Sequence, residues 1–254
     1  MTMSFRLVLL FAFAVLYLSR RIHAIVIEKE NVQEYIDNLV ADFEKNPHDN
    51  KFANIILPPL RLNGREIDDF FLPKVFIWSP KEHYALELHC PVHSEIKLKP
   101  WQFCKDVSGK SSGKGARLVY DLNGNVIFVQ RIYTCGSGRL VHKVMAATPD
   151  ILASLPRVVQ AHFPLIITER SGCTKNLANM IELQLQEGIN FLRISEGIAN
   201  LNMNEFCKRI NLYQSVLFTE DKDSTHKKEV AISDFYKNPL FSFPSNDFIT
   251  NIFI

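Results

Sequence analysis

Glu28 to Glu44 carries Val32, Tyr35, Ile36, Leu39, Val40 and Phe43 at spacings i, i+3, i+4, i+7, i+8 and i+11. One apolar stripe at the helical period predicts an amphipathic helix within residues 25–50, ended by Asn46-Pro47-His48-Asp49-Asn50. Ile55 to Tyr84 has no such period. Its Pro58-Pro59, Phe70-Phe71 and Val75-Phe76-Ile77-Trp78 read as short extended pieces wrapping a core. Residues 86–145 are rich in β-formers. Arg117–Leu122 and Asn125–Tyr133 flank Asn123-Gly124, and that pair between such runs predicts a hairpin, because both positions of a type I′ turn need φ > 0. From Pro149 onward the pattern turns helical. Leu177, Met180, Ile181 and Leu185 mark a helix over 175–187 with Gly188 as its stop. Residues 189–199 form a second candidate. Asn202, three residues before Glu205, resembles the start of a third that runs to about Tyr213.

These elements predict an α+β fold: a small zinc-ribbon-like antiparallel β region followed by a C-terminal three-helix segment. The last two helices have a helix-turn-helix cadence, with Leu201 in the turn and Lys208-Arg209 on the outer face of the second. Plain bundle packing gives the same spacing. Thr219 to Glu229 is a charged linker, and 214–254 forms a linker and apolar tail.

The N-terminus reads differently. Leu7–Leu18 is an unbroken apolar run of twelve residues after Arg6, and Ala24 sits at a plausible cleavage position. Residues 1–24 therefore suit a secretory signal peptide and are short for a membrane span, which needs about 20 apolar residues. Arg20 and Arg21 also permit an uncleaved anchor, the one case in which a membrane partner is expected. A used leader implies a secreted or endomembrane location; a chain without it is expected in the nucleus. An odd cysteine count of five and the absence of any Asn-x-Ser/Thr site lean toward an intracellular history.

Composition is that of a folded protein: 254 residues, 47% hydrophobic and 22% charged. Disordered, collagen-like and disulfide-dense classes are excluded. The net charge of +2 conceals an uneven distribution. Residues 1–24 hold three arginines and no acid, whereas Cys90–Met145 holds nine basic and three acidic side chains. Everything else is acidic.

That basic segment also holds the candidate chemistry. Cys90-Pro-Val-His93 is a Cys-x2-His knuckle, and Cys135 and His142 form a Cys-x6-His pair directly after the hairpin's return strand. Zinc takes four N or S ligands in a tetrahedron, and two close pairs on β-turns supply them. The expected set is Cys90, His93, Cys135 and His142, with Cys104 as a rival fourth ligand and His89 behind it. Scattered buried Cys with surface His, or a Cys90–Cys135 disulfide, are the other readings. Such a zinc site is structural, since no His-Glu-x-x-His or nucleophile-elbow motif accompanies it. Ser108–Gly115 (SGKSSGKG) fails as a phosphate loop because neither Cys104 nor Ser108 is the required Gly. Lys97, Lys99, Lys105, Lys110, Lys114 and Arg117, interleaved with Trp101 and Phe103, make a candidate nucleic-acid surface, to which Lys208 and Arg209 add the second helix. A solvated basic loop is the alternative. No small-molecule substrate is evident.

The runs LPPLRLNGREIDDFFLPKVFIWSP, LHCPVH, RLVYDLNGNVIFVQRIYTC, TPDILASLP, FPLIITERSGCTKNL and GINFLRISEGIA resemble an uncharacterised domain of animal proteins. That domain lies upstream of transposase-like regions of the Kyakuja–Dileera–Zisupton type and in HMG-box-containing proteins. The resemblance covers residues 57–213, divided into the Cys/His β region (86–145) and a helical part (149–213). It implies zinc binding through Cys90, His93, Cys135 and His142. Gly138 stands where many members keep a second Cys, which leaves the fourth ligand open. In longer relatives a segment resembling 241–254 leads into an RNase H-like nuclease domain. The resemblance thus implies a transposon-derived, non-enzymatic protein with possible DNA binding. A secreted or membrane-anchored interaction protein is the alternative.

Overall fold

Val126–Cys135 (VIFVQRIYTC) is buried at nine of its ten positions, polar Gln130 and Arg131 included, so both faces of the strand are covered. It organises the protein in a computed structural model that describes residues 29–59, 67–107, 115–136, 141–168, 172–220, 235 and 238–253. The leader, the 108–114 loop with Lys110 and Lys114, and most of the charged linker lie outside the described residues.

Five strands form the main sheet: β1 (Lys74–Trp78), β2 (Lys99–Cys104), β3 (Arg117–Val119), β4 (Val126–Cys135) and β5 (His142–Met145). All of the others pair with β4. β2, β3 and β5 run antiparallel to it as expected. β1 runs parallel, with Lys74 opposite Val126 and Trp78 opposite Gln130. The sheet is therefore mixed, and the extended 75–78 run is its strand at one end of the β1-β4-β2 path, with Val75 also bridged to Ile56. A second, two-stranded sheet pairs β6 (Leu165–Ile167) with β7 (Gly172–Thr174).

Side chains alternate across a strand, and here the alternation divides the core. Val75, Ile77, Ile127 and Val129 join one apolar cluster with the stripe of helix α1 (Lys29–Lys45). Phe76, Trp78, Val126 and Phe128 join another on the opposite face. That second face is closed by Ile151 of α3 (Pro149–Ser154), Val159 of α4 (Arg157–His162), and Leu88 and Leu98 from the segment after the one-turn helix α2 (Pro80–His83). Arg131 crosses between the layers. Its guanidinium lies 3.7 Å over the Phe103 ring and pairs with Glu44 of α1 at 3.0 Å. Phe103 is thus core rather than part of an exposed basic surface.

Two sequence expectations change at the C-terminal end. α5 (Lys175–Gln186) forms as predicted, with the Thr174 hydroxyl accepting from the Leu177 N–H as its cap. The second and third helix candidates are one continuous helix, α6 (Phe191–Glu220). There is no turn at Leu201 and hence no helix-turn-helix. The third C-terminal helix is instead α7 (Asn246–Phe253). The cause is Asn202. It is wholly buried, and its amide accepts from the Gly124 N–H at 2.9 Å and donates to the Phe241 and Ser242 carbonyls at 3.3 Å. Glu205, its supposed capping partner, pairs with Arg209 one turn on. A side chain read as a helix start is committed to tertiary bonds in mid-helix.

The Asn123-Gly124 turn has the positive φ values expected, 60° and 94°. The hairpin around it is wider than a two-residue turn would make it, because β3 and β4 pair from Val119 opposite Val126. Tyr120 leaves β4 to bridge Cys173, while Asp121 binds Lys74 at 2.7 Å and the Thr174 hydroxyl. No described helix is long and apolar enough to cross a membrane.

Candidate metal centre

Two chain segments build the site. Leu88 and Leu98, both buried, close a short hairpin in which the Leu98 N–H donates to the Leu88 carbonyl at 2.8 Å. Inside it the Cys90 N–H donates to Ile96 O at 3.0 Å, and the Ile96 N–H to His93 O at 2.8 Å. Pro91 starts the tight turn that brings His93 back over Cys90. The returning strand continues into β2, which pairs Lys99 with Thr134 of β4. This register sets the knuckle beside Cys135, the next residue. The other pair is a cross-strand pair: β4 and β5 place Cys135 opposite His142. Gly136, at φ 81°, makes the bend that follows.

The four ligand atoms lie within 4.8 Å of one another. Cys90 Sγ is 3.3 Å from His142 Nδ1 and 3.7 Å from His93 Nδ1, and His93 Nδ1 is 3.3 Å from Cys135 Sγ. Metal–sulfur bonds of about 2.3 Å and metal–nitrogen bonds of about 2.0 Å give tetrahedral S···N edges of roughly 3.5 Å. The observed edges match that figure. Both thiols are buried, His142 is half-buried and His93 is exposed. A neutral imidazole ligating through Nδ1 carries its proton on Nε2.

Burial disfavours the Cys90 thiolate, but the His142 ring and backbone amides around His93 outweigh it and bring the thiol down to about 6. Burial raises Cys135, and the neighbouring Cys90 sulfur raises it further. The two sulfurs therefore shift in opposite directions, and a bound cation would favour the thiolate form of both. The residues can hold a metal ion.

Cys104 is not in this group. It lies buried at the end of β2 opposite Gln130. His89 hydrogen-bonds the Ser94 carbonyl at 2.8 Å. Among the predicted cations, Lys97 is paired with Glu87 and Lys105 with Asp37, each at 2.7 Å. Arg117 donates to the Thr168 carbonyl at 3.2 Å. Arg209 is spent on Glu205 and on the Leu72 carbonyl at 3.0 Å. Lys99 and Lys208 are exposed and have no ion pair among the described residues. Lys143, outside the predicted set, sits 3.5 Å over the ring of Trp101, which is 42% exposed. The signal for it was its place between His142 and Val144 on a strand whose alternate residues point outward.

Other polar groups escaped sequence reading because nothing in their spacing marks them. Glu82 accepts from the Tyr133 hydroxyl at 3.0 Å and from Ser79, and Arg131 lies 3.9 Å from its second oxygen. Burial, with Glu82 alongside, pushes the Tyr133 hydroxyl well above its ordinary range. This network fastens α2 to β4 just behind the metal ligands.

No curated protein and no solved structure matches the chain. A family model, the domain of unknown function DUF6729, matches residues 47–254, wider at both ends than the 57–213 of the motif resemblance. The chain belongs to that family.

Proposed function

From membership of this domain family as premise, we propose that the chain is a non-enzymatic, transposon-derived protein whose zinc ion is structural and whose basic sheet end binds nucleic acid. The observation that carries the reading is the convergence of two sulfurs and two imidazole nitrogens within 4.8 Å, with three S···N distances of 3.3–3.7 Å near the tetrahedral edge. Two soft thiolates with two imidazoles favour zinc over harder ions. Four protein ligands fill the tetrahedron, leaving no open position for a substrate or activated water, so the metal's part is to fasten the knuckle to β4 and β5.

Cys90 and Leu98 belong to the same apolar cluster as Phe76, Phe128 and Tyr133. Holding the knuckle therefore closes one face of the core. The transposon origin rests on the motif runs of the sequence. The nucleic-acid reading rests on the cations that remain unneutralised. The test is chelation with a thermal readout: a picolyl-type chelator under reducing conditions is expected to remove one zinc per chain and lower Tm by several degrees. Metal-free protein that melts at the same temperature contradicts the structural role.

A second reading rests on the apolar run Leu7–Leu18: a secreted or membrane-anchored interaction protein. N-terminal sequencing of the expressed protein decides it. A start near Ile25 supports secretion; an intact Met1 rules out cleavage and leaves only the uncleaved anchor, which recovery in the soluble fraction would oppose.

A further inference from the structure

With the helix-turn-helix gone, the element that would read a duplex groove is absent among the described residues. Arg209 is packed against Leu72 and Phe241, leaving Lys208 as the exposed cation of that pair. The sheet beside the metal ligands offers something different. Lys99 of β2 and Lys143 of β5 are both partners of Thr134 on β4, so the three side chains form one row across the sheet. Strand spacing puts the two lysines about 10 Å apart. Both are exposed, and neither has a carboxylate partner among the described residues. Thr134 and Cys135 are consecutive on a strand, so this row faces away from the metal ligands. Cys135 is buried, and the row looks to solvent. The metal would hold the sheet end rigid from inside while the row works outside.

Trp101 completes the surface. It lies on β2 where the register with β4 shifts between Pro100 and Phe103. Its indole is 42% exposed, with the Lys143 ammonium 3.5 Å from the ring centre in a cation–π contact. An exposed indole beside unneutralised lysines is a platform for a stacked base flanked by phosphates. A duplex cannot use it, because its bases are already stacked. An acidic protein segment would satisfy the lysines and leave the indole face without a role.

We propose that Lys99, Trp101, Thr134 and Lys143 form a binding face for single-stranded nucleic acid, with a base stacked on Trp101. This rests on the nucleic-acid reading above and narrows it to single strands.

The chain has two tryptophans, and the other, Trp78, is 3% exposed, so ligand-dependent fluorescence reports Trp101. Full-length, metal-loaded protein is titrated with oligothymidine, with a duplex of equal length and with polyglutamate. Oligothymidine is expected to quench the emission and to bind at least tenfold tighter than the duplex. Trp101→Ala should weaken oligothymidine at least fivefold, the scale of one lost base stack. Trp101→Phe should restore binding to within about threefold, since any aromatic face stacks. Lys143→Gln should lower the log–log salt slope by about 0.7. Equal binding of single strand and duplex without quenching overturns this inference and leaves the nucleic-acid reading standing. No binding of either overturns both. Polyglutamate binding as tight as oligothymidine replaces nucleic acid with an acidic protein.

Discussion

Asn202→Asp separates two accounts of the C-terminal helices. At a helix N-cap, Asn and Asp are interchangeable to within a few tenths of a kcal/mol. In mid-helix they are not, because this amide uses both ends. Its oxygen accepts from Gly124, and its NH2 group donates to Phe241 and Ser242 in a site with no solvent exposure. A protonated Asp keeps the acceptor and one donor, so at pH 4 the loss is about 1 kcal/mol, one hydrogen bond. Ionised, it faces two carbonyl oxygens without water. Full burial lifts a carboxyl pKa by as much as about 3–5 units above an unfolded value near 3.9. The folded variant then holds a proton that the unfolded chain releases, so its stability falls as pH rises from about 4. By pH 7, some three units on, the added cost reaches at most about 4 kcal/mol. Urea unfolding of wild type and variant at pH 4.5, 6 and 7.5 measures it. A deficit below about 0.5 kcal/mol at pH 7.5, or one that does not grow with pH, refutes the placement of Asn202 inside a continuous helix.

Other substitutions and reagents probe the remaining features. After metal removal, iodoacetamide at pH 7.5 should label Cys90 well before Cys173, because Cys90 is held near 6 whereas burial and Asp121 push Cys173 up to about 11; peptide mapping reads the order. The Cys90 rate should fall as pH drops through about 6, since only the thiolate reacts. Gly172→Ala should cost more than about 2 kcal/mol in urea unfolding, because its Cβ would lie 2.7 Å from the Ile166 carbonyl oxygen across the β6–β7 pair. Arg131→Met should destabilise by about 3 kcal/mol or more, as it leaves the largely buried Glu82 carboxylate without its cation.

Local pattern reached some parts of this structure and not others. The α1 stripe was readable because its partner is simply apolar, so period alone identifies the buried face. Cys90, His93, Cys135 and His142 were readable because metal chemistry restricts residue type and each pair is close in sequence; only the pairing of the two pairs is tertiary. Asn123-Gly124 announced its backbone geometry, but the width of its hairpin is set by Tyr120 and Asp121 bonding across to β7, Thr174 and Lys74. α6 was misread at Asn202 because a polar residue in an amphipathic stretch looks like a boundary until its distant partners are known. β1 shows as an extended aromatic run, but its parallel pairing to β4, more than fifty residues on with Lys74 opposite Val126, leaves no local mark. Of the acidic partners within the basic patch, Glu205 stands one helical turn from Arg209 and is legible in sequence, whereas Asp37 reaches Lys105 from helix α1 and leaves no local mark.

The central claim is that Cys90, His93, Cys135 and His142 together bind one zinc ion. Zinc K-edge X-ray absorption on full-length protein purified under reducing conditions tests it most directly. The account predicts one zinc per chain, two sulfur ligands at about 2.3 Å and two nitrogen ligands at about 2.0 Å. It also predicts that Cys135→Ser loses the metal while Cys104→Ser keeps it. Absence of stoichiometric zinc, or a shell with three sulfurs that loses one on Cys104→Ser, would contradict it.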